Sequence, residues 1–233
     1  MIAGRIIMSW GSINITIAAT VRSPDIAALA RARGWNGTGP IFCTINPGVD
    51  VAGLVISNVP DDCVTLINQG RIGGVINGGT AIYTRKRIRI DNAGGIIFGG
   101  GGRGGRGGSL RIQNPNSPSY FASGSGGDGG AGAGFTDSGA VSMVSAVSGD
   151  YGRTETLGGA STGGIGSSTG GRGGSGGAIG MPGASGASGT ASGNYTLIQI
   201  YQPGEGQAAG YYVDGASLTT WISPGTRMGN AAN

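Results

Sequence analysis

The chain has 233 residues, with 54 glycines, 15 lysines and arginines against 11 acids, two cysteines and no histidine. The missing histidine removes the commonest general base and metal ligand, and two cysteines do not make a zinc site. A hydrophobic content of 38% with 11% charge is not the signature of disorder, and nine prolines with uneven glycine exclude collagen. So few charges on a large surface suit a protein held in an assembly.

The opening stretch "MIAGRIIMSWGSINITIAAT" shows no basic region followed by an unbroken apolar run, so neither a signal peptide nor a membrane span is expected there. Ile13, Ile15 and Ile17 alternate with small or polar residues and predict a half-buried strand. "SPDIAALARARG" carries helix signals: Ser23 as N-cap, Pro24 at the first position and Asp25 near the positive end of the dipole. Ile26, Leu29 and Ala30 form its apolar stripe, and Gly34 ends it. "PIFCTIN", "GLVISNV" and "CVTLIN" read as strands cut by turns, and "RKRIRID" as another with Ile88 and Ile90 on one face. Cys43 and Cys63 read as packed apolar residues, with a disulfide as the alternative.

Two stretches echo each other. "NQGRIGG" (68–74) and "NAGGIIFGG" (92–100) both place Asn-x-Gly before an isoleucine and a glycine pair. They read as one structural step used twice, a solenoid-like rung that feeds the glycine region.

Only 12 glycines fall in residues 1–90, whereas 36 fall in 91–193. They form runs at 99–108, 124–134 and 158–193, and from Gly171 to Gly189 glycine takes every third position. An extended helix with three residues per turn places such glycines on one edge, where a neighbouring backbone can approach. Its amides have no internal partner, so they need neighbouring strands. "GGRGGRGG" has two glycine edges and "GASGAS" has one, so the first accepts more close neighbours. A break is expected near "AIGMPG", where Pro182 interrupts the run. The fold class is therefore mainly β with little α: a β-rich N-terminal module (1–92), a polyglycine-II helix bundle with inserted loops (93–210) and a C-terminal return strand (211–233).

"RKRIRIDNAGGIIFGGGGRGGRGG" resembles the strand, turn and polyglycine start of the distal tail-fibre adhesins of T-even-type phages and of related glycine-rich tail-tip proteins. "ARGWNGTGPIFCTINPGV" and "GYYVDGASLTTWISPGTRMG" resemble two further blocks of such proteins, in the same order. The resemblance implies a polyglycine-II sandwich whose far loops touch a bacterial surface, and an N-terminal part that attaches to a fibre or tip. It makes the chain a virion component of the phage tail tip, synthesised in the host cytoplasm.

The competing readings are weaker. The RGG tripeptides at Arg103, Arg106 and Arg172 are too few and too poor in aromatics for an RNA-binding tail, and no phosphate-loop signature surrounds Lys86, the only lysine. Arg85, Lys86, Arg87 and Arg89 read first as a solvated strand face and second as a contact for an acidic partner; Asp61 and Asp62 read as a turn rather than a calcium site. No nucleophile constellation suggests an enzyme, and no cofactor, metal or nucleic acid is expected.

The inserts 112–123 and 136–156, with the turn near 195–202, concentrate Asn116, Tyr120, Phe121, Asp150, Tyr151, Arg153, Tyr195 and Tyr201. Tyrosine among Asn, Ser, Gly and Arg supplies rigid area with adaptable hydrogen bonds, so these residues are the candidate receptor contacts. The receptor class is an outer-membrane protein or a polysaccharide. A purely structural tip protein and an ice-binding polyglycine bundle are the alternative functions. Trp221 and Arg227 read as structural.

Overall fold

The computed structural model describes residues 11–157 and 166–233. The first ten residues of the opening stretch and the head of the third glycine run (158–165) lie outside the described residues. The fold is mainly β, with a single six-residue α-helix among the described residues.

The N-terminal part is a three-sided solenoid. Its first rung is β1 (Ile13–Ile17), β2 (Val21–Arg22) and α1 (Ile26–Arg31), the helix standing where later rungs have a strand. The second rung is β3 (Ile41–Ile45), β4 (Asp50–Ala52) and β5 (Leu54–Ile56), and the third is β6 (Val64–Asn68), β7 (Arg71–Gly73) and β8 (Ile82–Thr84). The fourth begins with β9 (Ile88–Asp91) and β10 (Ile96–Phe98). There the chain leaves at Gly99.

Eight short strands punctuate the excursion: β11 (Ser109–Asn114), β12 (Ser117–Gly124), β13 (Gly134–Phe135), β14 (Met143–Val144), β15 (Thr154–Thr156), β16 (Ser167–Thr169), β17 (Thr190–Ser192) and β18 (Thr196–Tyr201). The chain re-enters the solenoid with β19 (Tyr211–Asp214), which completes the fourth rung. It then adds a fifth as β20 (Thr219–Ser223), β21 (Thr226–Met228) and β22 (Asn230–Ala232). Residues 211–233 thus supply four strands where the sequence suggested one return strand.

All solenoid pairings are parallel. The sheets run β1-β3-β6-β9-β20, β2-β4-β7-β10-β21 and β5-β8-β19-β22. Register stacks like residues on like: Ile15, Cys43, Leu66, Ile90 and Trp221 form one column. Alternation along each strand sends one set of side chains inward, and these columns make the core. Cys43 fills its place in the column as a small apolar residue. Burial pushes its thiol up to about 12. Both cysteines are free, and the Cys63 thiol donates to the Gly39 carbonyl at 2.8 Å.

The echoed Asn-x-Gly turns stack as well. Asn68 Nδ2 donates to Asn92 Oδ1 at 2.7 Å, and Asn92 Nδ2 donates to the carbonyls of Pro224 and Thr226 in the returning rung. Asn68 and Asn92 are both buried, and these bonds offset the cost of taking their amides out of water.

The helix differs from expectation at its start. Asp25 is the N-cap and accepts from the Ala28 amide at 3.0 Å, while Ser23 sits at φ 45°. The apolar stripe is Ile26, Ala27 and Ala30, and Leu29 points to solvent. Small alanines let the helix lie directly on the first rungs.

Between Gly99 and Gly210 the chain runs back and forth as six non-β segments: 99–108, 125–133, 147–153, 170–178, 181–189 and 203–210. Their amides bond sideways at every third residue. In the first, Gly101, Gly104 and Gly107 donate to the second, and Gly102, Gly105 and Gly108 donate to the fifth. In the fourth, Gly170, Gly173 and Gly176 donate to the third, and Gly171, Gly174 and Gly177 donate to the first. The complete pattern sets second, first and sixth in one layer and third, fourth and fifth in the other. The first and fourth, which carry two glycines per triplet, hold the middle, where each bonds with four neighbours. A Cβ on Gly104 would collide with the Gly174 carbonyl oxygen, and one on Gly174 with that of Ala184.

Each segment runs opposite to the one before it. The connections at 109–124 and 190–202, and the described ends of the one at 154–169, therefore fall away from the solenoid. Those at 135–146 and 178–181 fall beside it. At the solenoid side Phe98 and Phe135 pack at 5.1 Å between ring centres, with Ala52, Val75, Ile179 and Met228 around them.

Candidate functional site

At the far end the connections fold into a small cap of two three-stranded antiparallel sheets, β12-β11-β18 and β15-β16-β17. Leu110, Ile112, Ala122 and Leu157 pack between them. Ser168 is buried beside this cluster, accepts from the Gly124 amide at 2.9 Å and donates to the Leu110 carbonyl at 2.8 Å. Glu155 accepts from the Ser123 amide at 2.6 Å, tying the sheets together again. These ties hold the exposed face of the cap on fixed strands.

Five of the eight expected contact residues lie on this cap. Asn116 is in the turn from β11 to β12, where its amide donates to Asn114 Oδ1. Tyr120 and Phe121 are exposed on β12, with the Arg111 guanidinium stacked 4.1 Å from the Phe121 ring centre. Tyr195 precedes β18 and Tyr201 closes it, and both are exposed.

The other three lie elsewhere. Residues 147–153, read as part of a loop, are the third glycine segment, so Asp150, Tyr151 and Arg153 sit on the bundle flank. Tyr151 is 77% exposed and carries the Arg172 guanidinium 4.4 Å from its ring centre. Residues 136–142 are not at the far end at all. Arg22 of the first rung donates to Thr136 and to the carbonyls of Ser138 and Gly139.

Two features escaped the sequence reading. The first is the exposure of β18, a strand-like stretch in the sequence whose six residues all face solvent, Leu197, Ile198 and Ile200 among them. This strand is the free edge of its sheet, with a bulge at Ile198 in its pairing to β11. "TLIQIY" lacks strict alternation, which hid this. The second is Arg106, which lines both the hollow beside Tyr201 and the hollow beside Tyr151. Its place in the triplet GGR was visible; its neighbours were not.

The charged stretches of the solenoid are largely paired internally. Arg85 bonds Asp214 at 2.8 Å, and Arg87 bonds Asp62 at 3.1 Å and donates its amide to Asp61 at 3.0 Å, which occupies part of the basic strand and both adjacent acids. Arg227 lies between the Trp221 and Tyr212 rings, 4.7 and 5.3 Å from their centres. Among the described residues no three His, Cys, Asp or Glu side chains gather as a metal site, and no helix is long and apolar enough to cross a membrane.

None of the curated proteins matches the chain. One solved structure is similar: the crystal structure of the gp37-gp38 adhesin tip complex of the bacteriophage S16 long tail fibre. The match has 22% identity, a TM-score of 0.47, and covers 94% of this chain and 82% of that one. The family model for the phage tail fibre adhesin Gp38 matches residues 12–232. That is nearly the whole described length, from the first solenoid strand to the last, and the chain belongs to the phage tail fibre adhesin Gp38 family.

Proposed function

We propose that this adhesin sits at the tip of a phage tail fibre, on the virion, and binds a bacterial surface receptor through the cap at the far end of its glycine bundle. The observation that carries this reading is the clustering there of exposed Tyr120, Phe121, Tyr195, Leu197, Ile200 and Tyr201 on strands fixed by the bundle. Large exposed apolar groups gathered on one surface favour an interaction site over a passive end. Aromatic anchors of this kind carry most of the energy of an interface when a partner covers them.

The bundle is the rigid spacer. Amide donors that recur at every third residue and alternate between two neighbours fit a polyglycine-II arrangement, three residues to the turn with every bond made sideways. The bundle rises from the corner between the second and third solenoid sheets, where the amides of Gly99, Gly100 and Gly210 donate to the carbonyls of Met228, Gly79 and Gly100 respectively. The first rung lies at the opposite end of the sheets from the fifth, and through Arg22 it holds only the 136–139 connection of the excursion among the described residues. Its strands β1 and β2 end their sheets, and Ile17, Val21, Pro24 and Leu29 line an apolar hollow of about 520 Å³ beside them. Among the described residues no strand pairs with the outer edges of β1 and β2, and such edges next to apolar surface are suited to continuation by another chain. We assign this end, within the 1–92 module, to attachment to the fibre.

The test is competition. Purified protein added to host cells should block adsorption of the phage. Protein carrying Tyr120→Ala and Phe121→Ala should lose at least about tenfold in potency, since truncating one anchor removes 1–2 kcal/mol or more. Equal potency of the folded double variant would move recognition off the cap.

A further inference from the structure

Below the cap, on the flank of the bundle, two hollows meet. One has a volume of about 640 Å³ and runs along the outer face of β11 and β18, past Arg111, Gln199 and Tyr201. The other has a volume of about 420 Å³ and is walled by Asp128, Asp150, Tyr151 and Arg153. Arg106 and Ser125 line both, so the two form one elongated groove. Each part is of the size that holds a small ligand. Two in line suit a chain of units rather than a compact molecule.

The chemistry of the walls is specific in kind. Glycines at 107, 124, 126, 127 and 204 keep the floor at backbone level, where no side chain blocks a flat ligand. Each hollow has one tyrosine, an apolar ring face with a polar tip. Arg106, Arg111 and Arg153 face two carboxylates, leaving an excess of positive charge. The guanidinium groups of Arg111 and Arg153 donate to no acceptor among the described residues, that of Arg111 lying over the Phe121 ring. Arg106 has only Asp128, at 3.8 Å. A guanidinium fork matches carboxylate and phosphate oxygens two at a time. Asp128, Asp150 and Gln199 are placed to exchange hydrogen bonds with hydroxyl groups. Aliphatic surface, which a protein partner would need for its own anchors, is nearly absent from the groove: Leu110 is its one aliphatic side chain and is buried.

We propose that this groove binds an anionic glycan, a saccharide chain bearing phosphate or carboxylate groups, with Arg106 at the junction engaging the charge and Tyr151 and Tyr201 stacking on sugar rings. The proposal rests on the host-recognition role assigned to the protein, but it concerns the groove where the bundle flank meets β11 and β18, which shares Tyr201 with the exposed cap cluster. It gives the adhesin a second contact with the cell surface, different in chemistry from the aromatic and aliphatic cap.

Calorimetric titration of the full chain tests it with three probes: a phosphorylated lipopolysaccharide core oligosaccharide, oligogalacturonate and neutral dextran. At least one anionic probe should bind saturably, dextran should not, and the affinity should fall as salt rises. Phosphate alone, carboxylate alone or both as the bound form each support the proposal and name the source of charge. Arg106→Ala should weaken binding at least tenfold, and Arg106→Lys should recover only part of it, since the fork is lost. Melting of these variants should match the parent, because the Arg106 side chain is 67% exposed and only its carbonyl serves the bundle. The proposal is overturned if no anionic probe binds at millimolar concentration, if dextran binds equally well, or if folded Arg106→Ala binds unchanged. A Tyr120→Ala protein, which leaves the Phe121 ring beside Arg111, separates the two readings. It should bind the anionic probe like the parent even where it no longer blocks adsorption.

Discussion

In the solenoid, Ile15, Cys43, Leu66 and Ile90 stack in a column that water never reaches. In the middle of the bundle, Gly104 and Gly174 lie in adjoining segments with no side chain between them. The solenoid therefore gains stability from apolar area removed from water, about 25 cal/mol per Å². The bundle gains it from backbone hydrogen bonds, each worth only about 1 kcal/mol net, against roughly 1–2 kcal/mol to order each residue. Such bonds do not hold a bundle alone. Its two ends supply what is missing: the Phe98 and Phe135 cluster at the solenoid, and the Leu110, Ile112, Ala122 and Leu157 cluster in the cap. The comparison teaches that the glycine region is a stiff link between two apolar anchors. Its design requirement is close approach, not burial.

The strongest way to break that comparison is Gly174→Val. The new side chain meets the Ala184 and Ser185 carbonyls, which are backbone and have nowhere to move. Destabilisation of the bundle should exceed about 3 kcal/mol. Amide exchange should show loss of protection through the excursion, with Ser175→Ala within about 0.5 kcal/mol of the parent. Parent-like protection in Gly174→Val would refute the close-packing account. Next in size is Leu66→Ala, which leaves a cavity in the column and should cost about 2–5 kcal/mol by denaturant unfolding. Its effect should centre on the rungs.

Asn92→Ala sharpens the comparison, because here the solenoid borrows the bundle's means. It removes the acceptor of Asn68 and the donor to the returning rung, and should cost about 1–3 kcal/mol. The smallest effect is that of Cys43 in neutral solution. Its thiol moves from an ordinary 9.0 to about 12 on burial. Between those values the unfolded chain releases the proton and the folded chain keeps it. Stability gained from this group is complete below about pH 9 and is lost as pH rises toward 12. Alkylation at pH 8 should be slow in the native protein and fast in denaturant; fast native alkylation would contradict the column.

Much of this was legible in the sequence for local reasons. Alternating isoleucines announced the strands, and triplet glycine announced segments that need close neighbours. The Asn68 and Asn92 repeat announced a recurring rung. Three things were not legible. Ile88 pairs with Thr219, across the whole excursion, and no local pattern encodes a partner so distant. The segment 147–153 keeps only Gly149 and Gly152 on its glycine edge, because an outer position has fewer close neighbours. It therefore looked like loop. Missing it changed the count of reversals, and with it the end at which 136–146 falls. The groove around Arg106 needs four segments and a sheet to form, so its residues carry no shared signal along the chain.

The most direct test of the central claim, that recognition is displayed at the far end of a glycine link held between two apolar anchors, is adsorption of phage particles in which the exposed cap residues Tyr120, Phe121, Tyr195 and Leu197 are replaced by serine while the buried Leu110, Ile112, Ala122 and Leu157 stay in place. Assembled, infectivity-tested particles carrying this protein, with bundle protection retained in amide exchange of the purified chain, should adsorb to host cells at a small fraction of the parental rate. Adsorption at the parental rate by those same particles would contradict the claim and place recognition elsewhere on the molecule.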